Sequence, residues 1–123
     1  MRRLLPLIVL SGAIACASTG PPVAPEQFTQ AEVAIRAAEN AGAVERAPDL
    51  LTRARQSLDA ARAASAQNRN DDARELVTEA TAFAEAAQSR ATAEKLKAEA
   101  AQLQAQADEL ERRAKEIREG RRQ

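Results

Sequence analysis

Residues 93–117 read AEKLKAE AAQLQAQ ADELERR AKEI. Set out in sevens, the stretch places alanine first in every heptad (Ala93, Ala100, Ala107, Ala114). A large aliphatic residue stands fourth (Leu96, Leu103, Leu110, Ile117). Four repeats in phase predict a helix that packs along a seam, because a 3.5-residue spacing keeps one stripe turned toward a partner. Asp108–Arg112, Glu109–Arg113 and Glu111–Lys115 stand four residues apart with the acid first. That orientation stabilises a helix by about 0.2–0.5 kcal/mol per pair. Those pairs occupy the outer face and do not account for the aliphatic stripe. Leu96, Leu103, Leu110 and Ile117 are therefore the candidate partner-binding residues. Alanine beside leucine makes a narrow seam that partner helices can approach closely. In a parallel, in-register dimer the flanking pairs would be Glu99–Gln104, Gln106–Glu111 and Arg113–Arg118. The last is repulsive, so charge does not favour that arrangement, and the orientation of the partner stays open.

Upstream of the repeat the helical pattern continues. No Pro or Gly interrupts residues 71–119, so one helix of about 49 residues, roughly 73 Å long, is expected. Between Ala73 and Ala91 its apolar stripe is Ala73, Leu76, Val77, Ala80, Phe83 or Ala84, Ala87 and Ala91, in a different phase from the later heptads. Asn68-Arg69-Asn70 reads as a turn, with Asn70 or Asp71 placed to cap the long helix. Before it, Pro48 opens a helix to about Gln67 with the stripe Leu51, Ala54, Leu58, Ala61 and Ser65. A first helix follows Pro25 and Glu26, where proline and an acid suit an N-terminus. It carries Phe28, Ala31, Ile35 and Ala38 on one face and stops near Gly42. The two shorter helices reach only about 24 and 30 Å. The second, packed antiparallel, runs out near Ala91, and the seam beyond has nothing in the chain to bury it unless the first helix reaches along it.

Composition agrees. Alanine supplies 31 of the 123 residues, and it forms helix best because it loses no side-chain entropy. Downstream of residue 16 large apolar side chains are few, so a thin helical layer or an oligomer is expected in place of a thick core. Eighteen basic and eighteen acidic residues cancel, which is no nucleic-acid footprint. The chain has no His, and its one cysteine is Cys16. The commonest general base, a thiol nucleophile, a metal cluster and a glycine-rich phosphate loop are all missing. No enzyme activity, catalytic residue, cofactor, metal or small-molecule substrate is expected.

Cys16 has a different use. Arg2-Arg3 is followed by an almost wholly apolar segment, Leu4 to Ala15, too short to cross a membrane and suited to a secretory signal. It ends in Ala13-Ile14-Ala15-Cys16, which resembles a bacterial lipobox with Ala13 where leucine is commonest. An ordinary secretory signal cut after Ala15 or Ala17 is the plainer alternative. The lipoprotein reading accounts for the lone cysteine and for the Ser/Thr/Gly/Pro-rich tether that follows it. Acyl chains (palmitate among them) on Cys16 would anchor the chain to a membrane. By the same resemblance, Ala17 in place of Asp implies the outer membrane, periplasmic side. The tail, Arg112 to Gln123, is locally basic. It either complements a helix C-terminus or meets an anionic surface of lipid or wall polymer.

The whole pattern resembles the bacterial lipoprotein family catalogued as domain of unknown function 4398, over roughly residues 16–100. The carriers are the Pro-rich tether, Ala31 to Glu39, the restart Ala47-Pro48-Asp49-Leu50, Leu58 to Arg62, Asn70 to Leu76, and Ala80 to Ala87. The resemblance implies no catalytic residues. The pair 50–67 and 71–87 also looks like one tetratricopeptide-type hairpin, although one hairpin is too few for a solenoid.

The expectation is an all-α chain: short helices forming an antiparallel hairpin or three-helix arrangement, with a long C-terminal coiled-coil helix. The segments are a signal peptide (1–15), a lipidated Cys16 with tether (16–25), an Ala-rich helical domain (26–91), the heptad segment (92–119) and a basic tail (120–123). The expected role is a membrane-anchored helical spacer or interaction protein of the cell envelope, meeting a protein partner or itself through the heptads. The alternative is a tetratricopeptide-like binding module for a peptide or envelope complex.

Overall fold

A computed structural model describes residues 20–122. The signal segment and Cys16 lie outside the described residues. Four helices follow an extended lead-in: α1 (Pro25–Asn40), α2 (Ala43–Arg46), α3 (Pro48–Ala66) and α4 (Asn70–Gly120). No strand occurs among the described residues. The fold is all-α, a three-helix arrangement from which the long C-terminal helix projects.

The helix ends follow from backbone chemistry. Pro25 and Pro48 each occupy the first turn of their helix, where a missing N–H costs no hydrogen bond. Gly42 ends α1 at φ 84°, a left-handed conformation that glycine adopts without a Cβ clash. A single turn, α2, fills the space before Pro48, which the sequence reading did not foresee. Its last cap residue, Ala47, has φ −147° and ψ 48°, outside the α region that the following proline disfavours. At the end of α3, Asn68 is left-handed at φ 58°. The Arg69 N–H donates to Ala64 O at 2.9 Å, and the Asn68 N–H to Ser65 O at 3.0 Å. This is the pair of bonds of a Schellman stop. α4 then runs 51 residues without a break.

The expected cap does not form. Arg69 is the N-cap of α4 and no side chain caps it. The Asn70 amide instead donates to Gly20 O at 2.7 Å. Arg74 Nη2 donates to Pro21 O at 2.7 Å, and Val23 is buried in the core. Part of the segment read as a free tether is thus a strap held against the start of α4.

Side-chain pairs give the topology. Arg55 binds Glu39 and Arg62 binds Glu32, so α1 and α3 run in opposite directions. Arg90 binds Asp49 at the end away from the 67–69 turn, so α3 and α4 are antiparallel too. The strap holds the start of α1 beside the start of α4, so these two run the same way. The most extensive contact is between α3 and α4, followed by α1 with α4. The core is mostly alanine, with Ile35, Leu51, Leu58 and Val77 as its large helical members. Such small side chains let helices approach closely at the expense of buried area. On α4 the stripe is Ala73, Val77, Ala80, Ala84, Ala87 and Ala91. Leu76 packs only partly against it. Ala84, not Phe83, takes the inner position. Phe83 is half-buried at the edge, with the Arg53 guanidinium 5.7 Å from its ring centre, a cation–π distance.

Candidate interaction surface

Ala91 is the last buried residue of α4. The 29 residues from Thr92 to Gly120 add about 43 Å of helix beyond the bundle. They are helical because they are rich in Ala, Glu, Gln, Lys and Arg and contain no breaker. Leu96, Leu103, Leu110 and Ile117 fall on one face of this projection and are 59%, 65%, 65% and 59% exposed. Ala93, Ala100 and Ala107 beside them are exposed, and Ala114 is partly covered. All four sequence-predicted partner residues are therefore aligned, in steps of about 10.5 Å, and none is covered by the chain. The first helix does not reach them.

The phase change at Ala91 has a geometric meaning. At 3.6 residues per turn, the stripe Ala73–Ala91 and the stripe Ala93–Ile117 point about 140° apart around the helix. α1 and α3 lie on the first side. No lengthening of either would cover the second.

Ion pairs clothe the rest of the projection. Lys97 binds Glu94 at 2.8 Å, and Arg113 binds Glu109 at 2.7 Å as the spacing predicts. Arg112 departs from expectation. It binds Glu109 and Glu116 in place of Asp108, whose carboxylate accepts from Gln104 Nε2 at 2.9 Å. Glu111 and Lys115 do not pair with each other. The Glu109 carboxyl is held below the usual glutamate range, first by its hydrogen bond from Arg112 and then by that from Arg113. Glu94 is lowered by its hydrogen bond and charge contact with Lys97, with a further contribution from Arg90. These are exposed pairs that order side chains and contribute little stability.

Elsewhere the surface offers shallow grooves. One of about 380 Å³ lies between α1 and α3, lined by Ile35, Leu58, Arg36, Arg55, Arg62 and the two acids that pair with Arg62, Glu32 and Asp59. α1 packs against both helices of the α3–α4 hairpin, more extensively against α4. Among the described residues no cluster of three or more His, Cys, Asp or Glu could hold a metal, and no helix is long and apolar enough to cross a membrane.

Fold and surface together define a small antiparallel helical bundle with a projecting, seam-bearing helix. The profile of the family described as Domain of unknown function (DUF4398) matches residues 26–119, and the chain belongs to that family. The match starts after the strap and takes in the heptad segment, beyond the residue-100 limit of the sequence resemblance. No curated protein and no solved structure matches the chain.

Proposed function

We propose that the chain is a lipoprotein of the bacterial envelope, anchored through Cys16 in the outer membrane on its periplasmic side. Its bundle is the base, and α4 is a helical spacer that presents an interaction seam away from that base. The observation that carries this reading is the run of four large aliphatic residues, all more than half exposed, on a helix that continues 29 residues past its own core. Isolated exposed apolar residues are ordinary. A contiguous stripe of them marks an interaction site.

The strap supports the anchor geometry. Gly20 is held against α4, and it stands only four Cα–Cα steps from Cys16. A fully extended chain of that length reaches about 14 Å, so the base would sit close to the bilayer. α4, about 77 Å long, then carries the seam and the basic residues after Glu111 away from that point.

Two variants test the proposal. Cys16→Ser removes the thiol that would carry the thioether-linked lipid, so the protein should move from the membrane to the soluble fraction. Unchanged fractionation, with no lipid found on the wild-type chain by mass spectrometry, would refute the anchor. Leu103→Asp with Leu110→Asp places two charges in the seam. In a chain carrying Gln106→Cys the variant should lose cross-linking of the seam to envelope protein while residues 20–91 keep their helix content, and unchanged cross-linking would refute the interaction reading.

A further inference from the structure

We propose that the occupant of the seam is the same segment of a second copy of this chain, antiparallel and fully overlapped, with Ala93 of one level with Ile117 of the other. This rests on the seam being the docking surface and names its partner.

The packing layers fit that arrangement. Run antiparallel, the repeat sets Ala93 against Ile117, Leu96 against Ala114, Ala100 against Leu110 and Leu103 against Ala107, and the two-fold axis repeats the series. Every layer then holds one alanine and one large aliphatic residue, so its width is constant. A parallel, in-register pair would stack alanine on alanine and leucine on leucine in turn, and the helix separation would have to alternate. Packed helices keep a nearly constant separation set by their contact residues.

The flanking charges choose the same register. Antiparallel helices bring together the residues that flank the seam on the same side. On one side Glu99 meets Arg113 of the second copy, and Arg113 meets its Glu99. On the other, Lys97 meets Glu111 and Glu111 meets Lys97. Gln104 and Gln106 meet their own counterparts near the two-fold axis. Four complementary ion pairs result, against one like-charged contact at each end, Arg118 with Arg90 of the other copy, where Asp49 already pairs with the Arg90 guanidinium. Sliding the copies one heptad apart sets Lys97 against Arg118. Sliding them one heptad the other way leaves Glu99 opposite Gln106 and Arg113 opposite Thr92, and keeps only Glu111 with Arg90, two complementary pairs in place of four. The parallel arrangement sets Arg113 against Arg118. The antiparallel, fully overlapped register makes the most complementary pairs of these arrangements, and such pairing is what fixes orientation and partner choice in coiled coils. Glu111 makes no ion pair within the described residues, and Lys97, Glu99 and Arg113 hold only exposed neighbours on their own helix. Those local pairs can rearrange at little cost.

The bundles do not obstruct the pairing. Gly120 of one copy comes level with Arg90 of the other, but on the side of α4 turned away from α1 and α3. The interface is isologous and closes at two copies. The starts of the two α4 helices then lie about 105 Å apart, and the spacer separates two bases instead of one base and a distal partner.

Cross-linking of the full chain in cell envelopes with a short bis-maleimide tests this. Gln106→Cys lies near the two-fold axis and should join into a dimer. Leu110→Cys, displaced about 15 Å from its counterpart, should not. Glu99→Arg should weaken the dimer about tenfold in dissociation constant, measured by sedimentation of the purified full chain in nonionic detergent. Adding Arg113→Glu should restore it. In a parallel pair Arg113→Glu alone would tighten association and Leu110→Cys would cross-link; either result overturns the proposal. If neither cysteine joins two copies and sedimentation shows a monomer, while Gln106→Cys cross-links to another envelope protein and Leu103→Asp with Leu110→Asp abolishes that cross-link, the seam docks a different protein. The self-pairing then fails and the interaction reading stands. If that double variant has no effect either, both fail.

Discussion

One chemical change at two leucines separates the core of this protein from its proposed docking surface. Leu51 is 2% exposed and is the largest fully buried side chain among the described residues, whereas Leu103 is 65% exposed. Leu51→Ala leaves a void in a core made mainly of alanine methyls, which have no rotamers with which to fill it. The loss should therefore fall within the 2–5 kcal/mol seen for buried large-to-Ala changes, at about 3–4 kcal/mol. A folded unit of about 70 residues has roughly 4–10 kcal/mol of stability in all. The variant should accordingly show a urea midpoint roughly 3–4 M lower, given a slope near 1 kcal/mol/M for a unit this small. Leu103→Ala removes the same atoms from solvent-facing helix, where alanine is the better helix former, and should change stability by less than about 0.5 kcal/mol. The assay is urea denaturation followed by circular dichroism at 222 nm. Submicromolar protein keeps association out of the measurement. A comparable loss at both sites would mean that the seam is covered within the chain, and a loss below about 1 kcal/mol at Leu51 would mean that the core lies elsewhere.

Two further outcomes follow from local geometry and charge. Gly42→Ala puts a Cβ into a left-handed residue at φ 84° and should destabilise the bundle by about 1 kcal/mol, seen as a lower thermal midpoint. Asn68→Gly, at the other left-handed position, should not destabilise it. Equal effects of the two would contradict the assignment of backbone strain to position 42. The Glu109 carboxyl is held below its ordinary range by Arg112 and Arg113, so its contribution is full above the unfolded value and is lost as pH falls through the lower folded one. Acid should therefore loosen the projecting half of α4, and Glu109→Gln should flatten that dependence. A side-chain carboxyl titration by NMR with a midpoint at or above the ordinary glutamate value would refute the pairing.

Much of this fold is legible in the sequence because its punctuation is local. Pro25, Pro48 and Gly42 mark helix boundaries through their own backbone chemistry, and the absence of such residues between Asp71 and Glu119 announces the long helix. The stripes of α1, α3 and α4 follow from spacing alone. The choice between Phe83 and Ala84 does not, because neighbouring residues share the edge of the stripe. The closeness of an alanine-lined interface decides it by leaving no volume for a ring. The four-residue α2 carries too little periodicity to read. The missing cap at Asn70 was not legible for a different reason. Its partner, Gly20, lies 50 residues away in sequence and is brought there only by the parallel course of α1 and α4.

The candidate surface was legible as a repeat, but its independence from the core was not. Had the packing phase of Ala73–Ala91 continued, the buried positions beyond it would have been Glu94, Ala98, Ala101, Ala105, Asp108 and Arg112. Such a stripe becomes polar toward its end, so an extension of α1 or α3 along that face would bury charges at considerable cost. The heptad repeat lies instead on the opposite side, with Ala93 two residues and Leu96 five residues after the core stops. A helix that only needed to finish its own bundle would end near Ala91. One that keeps a strict repeat for a further 25 residues, on a face its own chain cannot reach, has the form that the proposed docking to a helix of another molecule requires. This is why substitutions at Leu103 and Leu110 should alter association without altering the fold, and why those at Leu51 should do the reverse.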